Sequence, residues 1–268
     1  VGEVADGEDG HGQECKGEKT HPDSSFPGGP GSLRGVWGAR IQSMDVLSRV
    51  PSPSSRAVAL ETTLLVHGVP REAGVSLGAE LREIVRGAGA FPALVGLVAG
   101  VPTVGMSDQE VRSLLDSAHV PKANSANLGV LMHRGSHGAT TVSTTMELAA
   151  LAGVRIFATG GIGGVHPGYG KHLDISSDLA AFTRFPVAVV TSGVKSILDV
   201  VGTREALETL GIPVIGFGTD RFPAFYQRGS GAGVDARFDD VADLARFAAR
   251  ELDRTGRGLV IANPIPEA

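Results

Sequence analysis

Lys195 stands in FPVAVVTSGVKSILDV (Phe185 to Val200), just beyond an apolar run, Val187 to Thr191, that reads as a buried strand. Ser192-Gly193 reads as a turn and Ser196 onward as a helix, so the spacing predicts Lys195 at a helix entrance. A helix N-terminus disfavours an ammonium by a few tenths to ~1 kcal/mol. Most lysines at such places point into water. The chemical alternative starts from open α/β sheets, whose functional groups gather at the carboxyl ends of strands. There a lysine opposed by a helix dipole and by burial loses its proton more easily and becomes a nucleophilic amine. Such amines form Schiff bases with sugar and keto carbonyls.

Three further clusters fall at predicted strand ends. In ALETTLLVHG, Glu61 interrupts an apolar strand; burial would raise its pKa and suit a general acid, while a strand-edge glutamate facing water fits equally. In HGATTVSTTMEL, Gly138 permits close backbone approach, and Thr140, Thr141, Ser143 and Thr144 offer hydroxyls and helix-start amides to an anion. A helix cap with surplus hydroxyls explains any one of them. In ATGGIGGVHPGYGKHLDISSDL, the glycine loop can form an amide nest for phosphate. Beyond it lie Asp174 and Asp178, carboxylates that suit Mg²⁺ or Mn²⁺ better than zinc, with helix capping by Asp174 or Ser176 as the other reading. His166 by itself reads more readily as structural than as a ligand. The chain has no G-x-S-x-G elbow, P-loop, zincin or CxxC pattern, so the lysine, the carboxylates and the phosphate nest form the one coherent set.

The elements that must hold these groups follow from composition and periodicity. The chain has 268 residues, 42% hydrophobic and 20% charged, with a formal net charge of −5, an ordinary globular composition. Mild acidity argues against nucleic acid as partner, although a small phosphorylated ligand stays open. Cys15 is the single cysteine, which excludes a disulfide framework and a cysteine metal site. The longest apolar run, PALVGLVAGVPTVGM from Pro92, is too short and too interrupted to span a bilayer. Residues 1–45 are polar and rich in Gly, Asp, Glu, Ser and Pro. They are expected to be a disordered extension without the features of a signal peptide, with Met44 as a candidate true start. A cytoplasmic location is the matching expectation.

Residues 46–268 read as one α/β domain. AVALETTLLVHG is a predicted strand; SLGAELREIVRGAGA is a helix with Leu77, Leu81 and Ile84 on one face. FPALVGLVAGVPTVG gives two strands joined at Ala99-Gly100, and SDQEVRSLLDS a helix capped by Ser107. TTVSTTMELAALAG, SILDVVGTREALETLG and DDVADLARFAARELDRTG read as helices. VRIFATGG, FPVAVVTSG, IPVIGFG and GLVIANPIP read as strands. This alternation predicts a three-layer α/β/α sandwich around a mostly parallel or mixed sheet. GGIGG lacks the glycine spacing of a dinucleotide fingerprint.

Taken in order, ALETTLLVHG, KANSANLG, HGATTVSTTMELAALAGVRIFATGGIGGVH, LDISSDL, SGVKSILD, PAFY and GLVIANPIPE resemble the pseudouridine-5′-phosphate glycosidases, the indigoidine synthase A-like family. The resemblance runs from about Ala57 to Glu267. It implies reversible cleavage of the C–C glycosidic bond of pseudouridine 5′-phosphate to uracil and ribose 5-phosphate, with Mn²⁺ or a similar ion. By resemblance Lys195 attaches to C1′ of the ring-opened ribose and Glu61 supplies protons to the sugar and the departing uracil. Lys122 matches a substrate-binding lysine, plus a Val142 backbone contact and substrate contacts at Ser176, Ser177 and Asp178. Asp174 matches the metal aspartate, and His166 and Asn263 match polar residues lining the site. A homotrimer is implied as well.

The sequence departs from the family at Asn124-Ser125-Ala126-Asn127, where members usually carry a basic Ser-Arg-Arg-Asp-like run, and this bears on phosphate affinity or local loop folding. Members also continue past NPIPE through a helical tail. Two rival readings accompany the first: a related lysine-dependent lyase or glycosidase on another 5-phosphosugar adduct, and a truncated non-catalytic homologue that binds a sugar phosphate.

Overall fold

The computed structural model describes residues 44–51 and 56–267, so the expected disordered extension over residues 1–45 lies, its last two residues apart, outside the described residues. In chain order the first elements are β1 (Leu47–Ser48), β2 (Ala57–Glu61), a π-helical turn (Leu64–Gly68) and α1 (Arg71–Gly87). The hairpin β3 (Phe91–Val98) and β4 (Val101–Val104) follows, then α2 (Asp108–Asp116), β5 (Lys122–Ala123), α3 (Leu128–His133) and β6 (Gly138–Thr140). Next come α4 (Val142–Leu151), β7 (Ile156–Thr159), α5 (Ser177–Phe182), β8 (Ala188–Thr191) and α6 (Val200–Thr209). The chain closes with β9 (Val214–Phe217), β10 (Ala236–Phe238), α7 (Val241–Thr255) and β11 (Leu259–Ala262).

The strands form one sheet in the order β1-β4-β3-β2-β7-β8-β11-β9-β10, with β6 paired to β3 and β5 to β6. Pairing is parallel except for β3 with β4 and β3 with β6. Strand residues alternate between faces, as the pleat requires. Ala57, Ala59, Val95, Val189, Val214 and Val260 pack into one core together with α4 and α5 residues such as Met146 and Phe182. Their neighbours turn the other way: Leu60 and Leu94 meet Val111 and Leu114 of α2, and Ala188, Ile215 and Leu259 meet Leu244, Ala248 and Leu252 of α7. Helices therefore cover both faces, and the chain is the α/β sandwich with a mixed sheet that its periodicity predicts.

Local signals explain most boundaries. Ala99 and Gly100 both have positive φ, 49° and 81°, the twist that joins β3 to β4 tightly. At α2, the Ser107 side chain accepts from the Glu110 amide while the Glu110 side chain reaches back to the Ser107 amide, a full capping box. Ile84, expected on the inward face of α1, is 63% exposed. The buried residues of α1 are Gly74, Gly78 and Arg82. A Cβ on Gly74 would lie 2.6 Å from the Leu65 carbonyl oxygen, so this helix rests its backbone against the π-helical turn.

Candidate active site

Glu61 ends β2 rather than interrupting it. The two threonines that follow turn the chain, because their hydroxyls bond away from the strand. Thr62 Oγ1 donates to the Val95 carbonyl at 2.9 Å and Thr63 Oγ1 to the Thr140 carbonyl at 2.7 Å. Glu61 is thereby fixed at a carboxyl end of the sheet. The Thr159 hydroxyl, at the end of neighbouring β7, donates to Glu61 Oε1. Burial of the carboxyl lifts its pKa from 4.5 to about 7, against the Thr159 hydrogen bond and the positive charges of Lys195 and Lys122. Asp178 adds a smaller upward push.

Lys195 does not sit at a helix N-terminus. α6 begins at Val200, and its cap is Asp199, whose Oδ1 accepts from the Gly202 amide at 2.8 Å. The lysine lies instead in the loop after β8, where its amide donates to the Ile162 carbonyl at 3.1 Å and its carbonyl accepts from the Leu198 amide at 2.9 Å. The loop is shaped by Gly193, with φ +93°, over which the Pro223 carbonyl passes so closely that a Cβ would lie 1.9 Å from its oxygen. Lys195 is therefore not the residue that opens α6. The lysine is half-buried in a cavity of about 370 Å³ that it shares with Glu61, Lys122, His67, Gly160–Gly161, Phe225 and Tyr226. His67 is held below its ordinary pKa by burial and by the Lys122 cation.

The hydroxyl-rich segment and the glycine loop prove to be a frame more than an open anion nest. Asp178, 3% exposed, accepts the Ser143 amide at the start of α4 through Oδ1 and the Gly163 amide through Oδ2, each at 2.9 Å. The anion at this helix N-terminus is thus the protein's own carboxylate. The Val165 amide donates to Thr203 Oγ1 and the Ile162 amide to the Gly193 carbonyl, so these loop amides are also used internally. Val142, fully buried, opens α4. Ser176 caps α5 by accepting from the Asp178 amide, and the Ser177 hydroxyl lies 3.1 Å from that of Ser143. Thr144 Oγ1 is buried without a hydrogen-bond partner among the described residues.

The remaining expected residues lie apart. Ser176 and Ser177 line a separate cavity of about 640 Å³ between α5 and α6. Asn263 lines an apolar groove of about 350 Å³ between α7 and the sheet. His166 and Asp174 face each other across the loop, Nδ1 to Oδ2 3.7 Å, the histidine half-buried and the aspartate exposed. No group of three His, Cys, Asp or Glu side chains converges to hold an ion among the described residues. One carboxylate and one imidazole fall short of the octahedral set that Mn²⁺ or Mg²⁺ takes, so they would suit only a hydrated ion shared with a ligand's phosphate. At the altered 124–127 loop, Asn124 Oδ1 accepts the Ala126 and Asn127 amides, and Asn127 Nδ2 donates to the Lys122 carbonyl at 2.9 Å. Neutral side-chain amides therefore fold the loop beside Lys122.

Sequence reasoning missed Thr159, His67, Phe225 and Tyr226. Thr159 and His67 fall within runs read as strands and Phe225 and Tyr226 within a run of no period; in neither case does the pattern mark a site, and only the fold brings them to Glu61 and Lys195. The clue for the aromatic pair was PAFY, a proline-led aromatic run in a stretch with no helical or strand period.

The family model described as "Indigoidine synthase A like protein" matches residues 51–268. A pseudouridine-5′-phosphate glycosidase of Nocardioides sp. is 46% identical over 212 residues, which cover 79% of this chain and 69% of that protein. One from Alkaliphilus metalliredigens is 47% identical over 213 residues, with the same shares of each chain covered. Among solved structures, an indigoidine synthase A-like protein from Thermotoga maritima superposes with a TM-score of 0.77 at 36% identity, covering 84% of this chain and 75% of the other. The prealnumycin C-glycosynthase AlnA, in complex with ribulose 5-phosphate, superposes with a TM-score of 0.75 at 35% identity, covering 83% and 75%.

Proposed function

Because the chain belongs to the indigoidine synthase A-like family, we propose that it is an enzyme that reversibly cleaves the C–C glycosidic bond of pseudouridine 5′-phosphate, giving uracil and ribose 5-phosphate. The observation that carries this reading is the single cavity lined by Glu61, Lys195 and Lys122. An O- or N-glycosidase protonates a leaving heteroatom; a departing carbon offers no lone pair, so the bond must be weakened from the sugar side. In this reading Glu61 protonates the ring oxygen as the furanose opens, and the Lys195 amine adds to C1′. Protonation of the base carbon then releases uracil and leaves an iminium between C1′ and the lysine nitrogen. Water hydrolyses it to the aldehyde of ribose 5-phosphate and the free amine. Glu61, with its pKa near 7, can give and regain these protons near neutral pH.

Lys122, exposed at the cavity rim, is the residue we assign to the 5′-phosphate. Asp178 and the capping serines, Ser176 and Ser177, hold the glycine loop and the start of α4, so their part in substrate binding would run through the Val142 and Gly160–Gly161 backbone. Asp174, beside His166, is the residue we assign to a divalent cation such as Mn²⁺, whose charge would help neutralise a phosphate-bearing ligand. A homotrimer belongs to the same reading, with the exposed Leu173, Ile197 and Val201 as residues that subunit contact would cover. The test is to incubate the protein with uracil, ribose 5-phosphate and Mn²⁺ and follow formation of an acid-stable nucleotide by mass and ultraviolet absorbance. Formation of pseudouridine 5′-phosphate upholds the reading; none at any metal concentration refutes it.

A second reading is C-glycosidic bond formation on a different aromatic acceptor, favoured by the likeness to a C-glycosynthase. The same mixture with uracil replaced by other planar acceptors separates the two.

A further inference from the structure

We propose that Phe225 and Tyr226 form the wall that receives the planar base parted from the sugar, and so determine which heterocycle the cavity accepts. The proposal rests on the reading of Lys195 as the residue bonded to C1′. The base is attached to that same carbon, so it must lie within a bond or two of the lysine nitrogen. Among the described residues that line the cavity with Lys195, Phe225 and Tyr226 supply the aromatic surface. A Cβ built on Gly161 would lie 2.6 Å from Phe225 Cδ2 and 3.3 Å from Lys195 Cγ, so ring and lysine stem converge on one point. At Gly160 the same ring, through Cε2, would lie 3.1 Å away. Two successive glycines thus give the Phe225 ring a backing against which no side chain intrudes. Tyr226 meets it edge to face, with centroids 4.4 Å apart and planes at 77°. At 74% exposure Tyr226 stands at the cavity mouth, uncovered.

The backbone here is held out of its preferred state. Phe225 has φ +56°, a left-handed conformation that a bulky residue seldom adopts. The loop that carries Lys195 keeps it there. The Phe225 amide donates to the Ser192 carbonyl at 3.0 Å, the Val194 amide to the Pro223 carbonyl at 3.3 Å, and Gly193 bridges Ala224. Strain of this kind persists only where surrounding contacts enforce it, and it concentrates at functional sites. Here it locks the aromatic ring and the lysine into one unit. A flat ring beside the scissile carbon supplies a stacking surface for a pyrimidine-type heterocycle and favours planar bases over saturated ones.

The test is the KM for uracil and for ribose 5-phosphate, measured in the bond-forming direction for Phe225→Leu and Tyr226→Leu. Saturation-transfer NMR of uracil on each protein accompanies it. Loss of stacking on one base should raise the uracil KM roughly tenfold. The ribose 5-phosphate KM and the amount of borohydride-trapped adduct should hold. An unchanged uracil KM in both variants overturns the proposal, as does a rise in both KM values together, which would mark a structural role. Tyr226 is exposed enough that its replacement cannot fail through misfolding. If the wild-type protein makes no nucleotide, the function read above fails on its own. Uracil saturation transfer then decides the aromatic wall: loss in the variants upholds it, retention overturns it.

Discussion

Replacing Glu61 with glutamine should change how the protein's stability responds to pH, in a direction that the geometry fixes. The carboxyl has a raised pKa in the folded state, so the folded protein holds this proton more tightly than the unfolded chain does. Its stabilising contribution is complete below 4.5 and is lost as pH rises through about 7. At ~1.4 kcal/mol for each pH unit, the rise from 4.5 to about 7 corresponds to about 3 kcal/mol. Solvent reaching this half-buried residue trims the effect to roughly 2–3 kcal/mol between pH 5 and 8.5. Glutamine has the same shape, can accept the Thr159 hydrogen bond through its carbonyl, and never ionises. Glu61→Gln should therefore gain stability relative to the wild type by that amount as pH rises from 5 to 8.5. Urea midpoints at half-unit pH steps, with an unchanged slope, measure it directly. Turnover should be lost while ribose 5-phosphate binding persists. Parallel stability profiles for the two proteins would show that Glu61 is not desolvated, and the argument for it as a proton donor would fall.

Asp178→Ala leaves two buried amides, of Ser143 and Gly163, without their acceptor, and should lower unfolding free energy by roughly 2–4 kcal/mol in the same urea assay. Gly193→Ala places a methyl group against the Pro223 oxygen at a positive φ, so it should displace the Lys195 loop and abolish activity while the far sheet, from β1 to β3, retains its amide protection in hydrogen exchange. Thr159→Val removes the hydroxyl that holds the Glu61 pKa down, so the pH–rate profile should shift to higher pH on the limb that reports Glu61 ionisation.

The layered architecture was legible because apolar residues repeat at the period of two in strands that sort them onto opposite faces. The β3–β4 hairpin and the Ser107 capping box were legible from local chemistry alone. Elsewhere tertiary contacts outweighed pattern. Thr62 and Thr63 read as strand continuation, yet their hydroxyls are drawn to Val95 and Thr140, residues distant in sequence, and the strand stops at Glu61. The apolar spacing after Ser196 imitates a helix start, whereas the start is set by Asp199, a cap residue that the spacing hid. On α1 the hydrophobic pattern pointed to Ile84, but glycines let the helix approach backbone to backbone, and a residue without a side chain leaves no trace in such a pattern. For the site, sequence named Glu61, Lys195 and Lys122, and the fold draws those three together. The aromatic wall and Thr159 arise from loops and strand ends whose meeting no local rule specifies.

The central claim is that the side chain of Lys195 bonds to a sugar's anomeric carbon. Treating the protein with ribose 5-phosphate and sodium borohydride, then mapping the modified peptide by mass spectrometry, tests it most directly. A reduced pentose-phosphate adduct on Lys195, lost in Lys195→Ala together with nucleotide formation, is the predicted result. A Lys195→Ala protein that joins uracil to ribose 5-phosphate at the wild-type rate would contradict it.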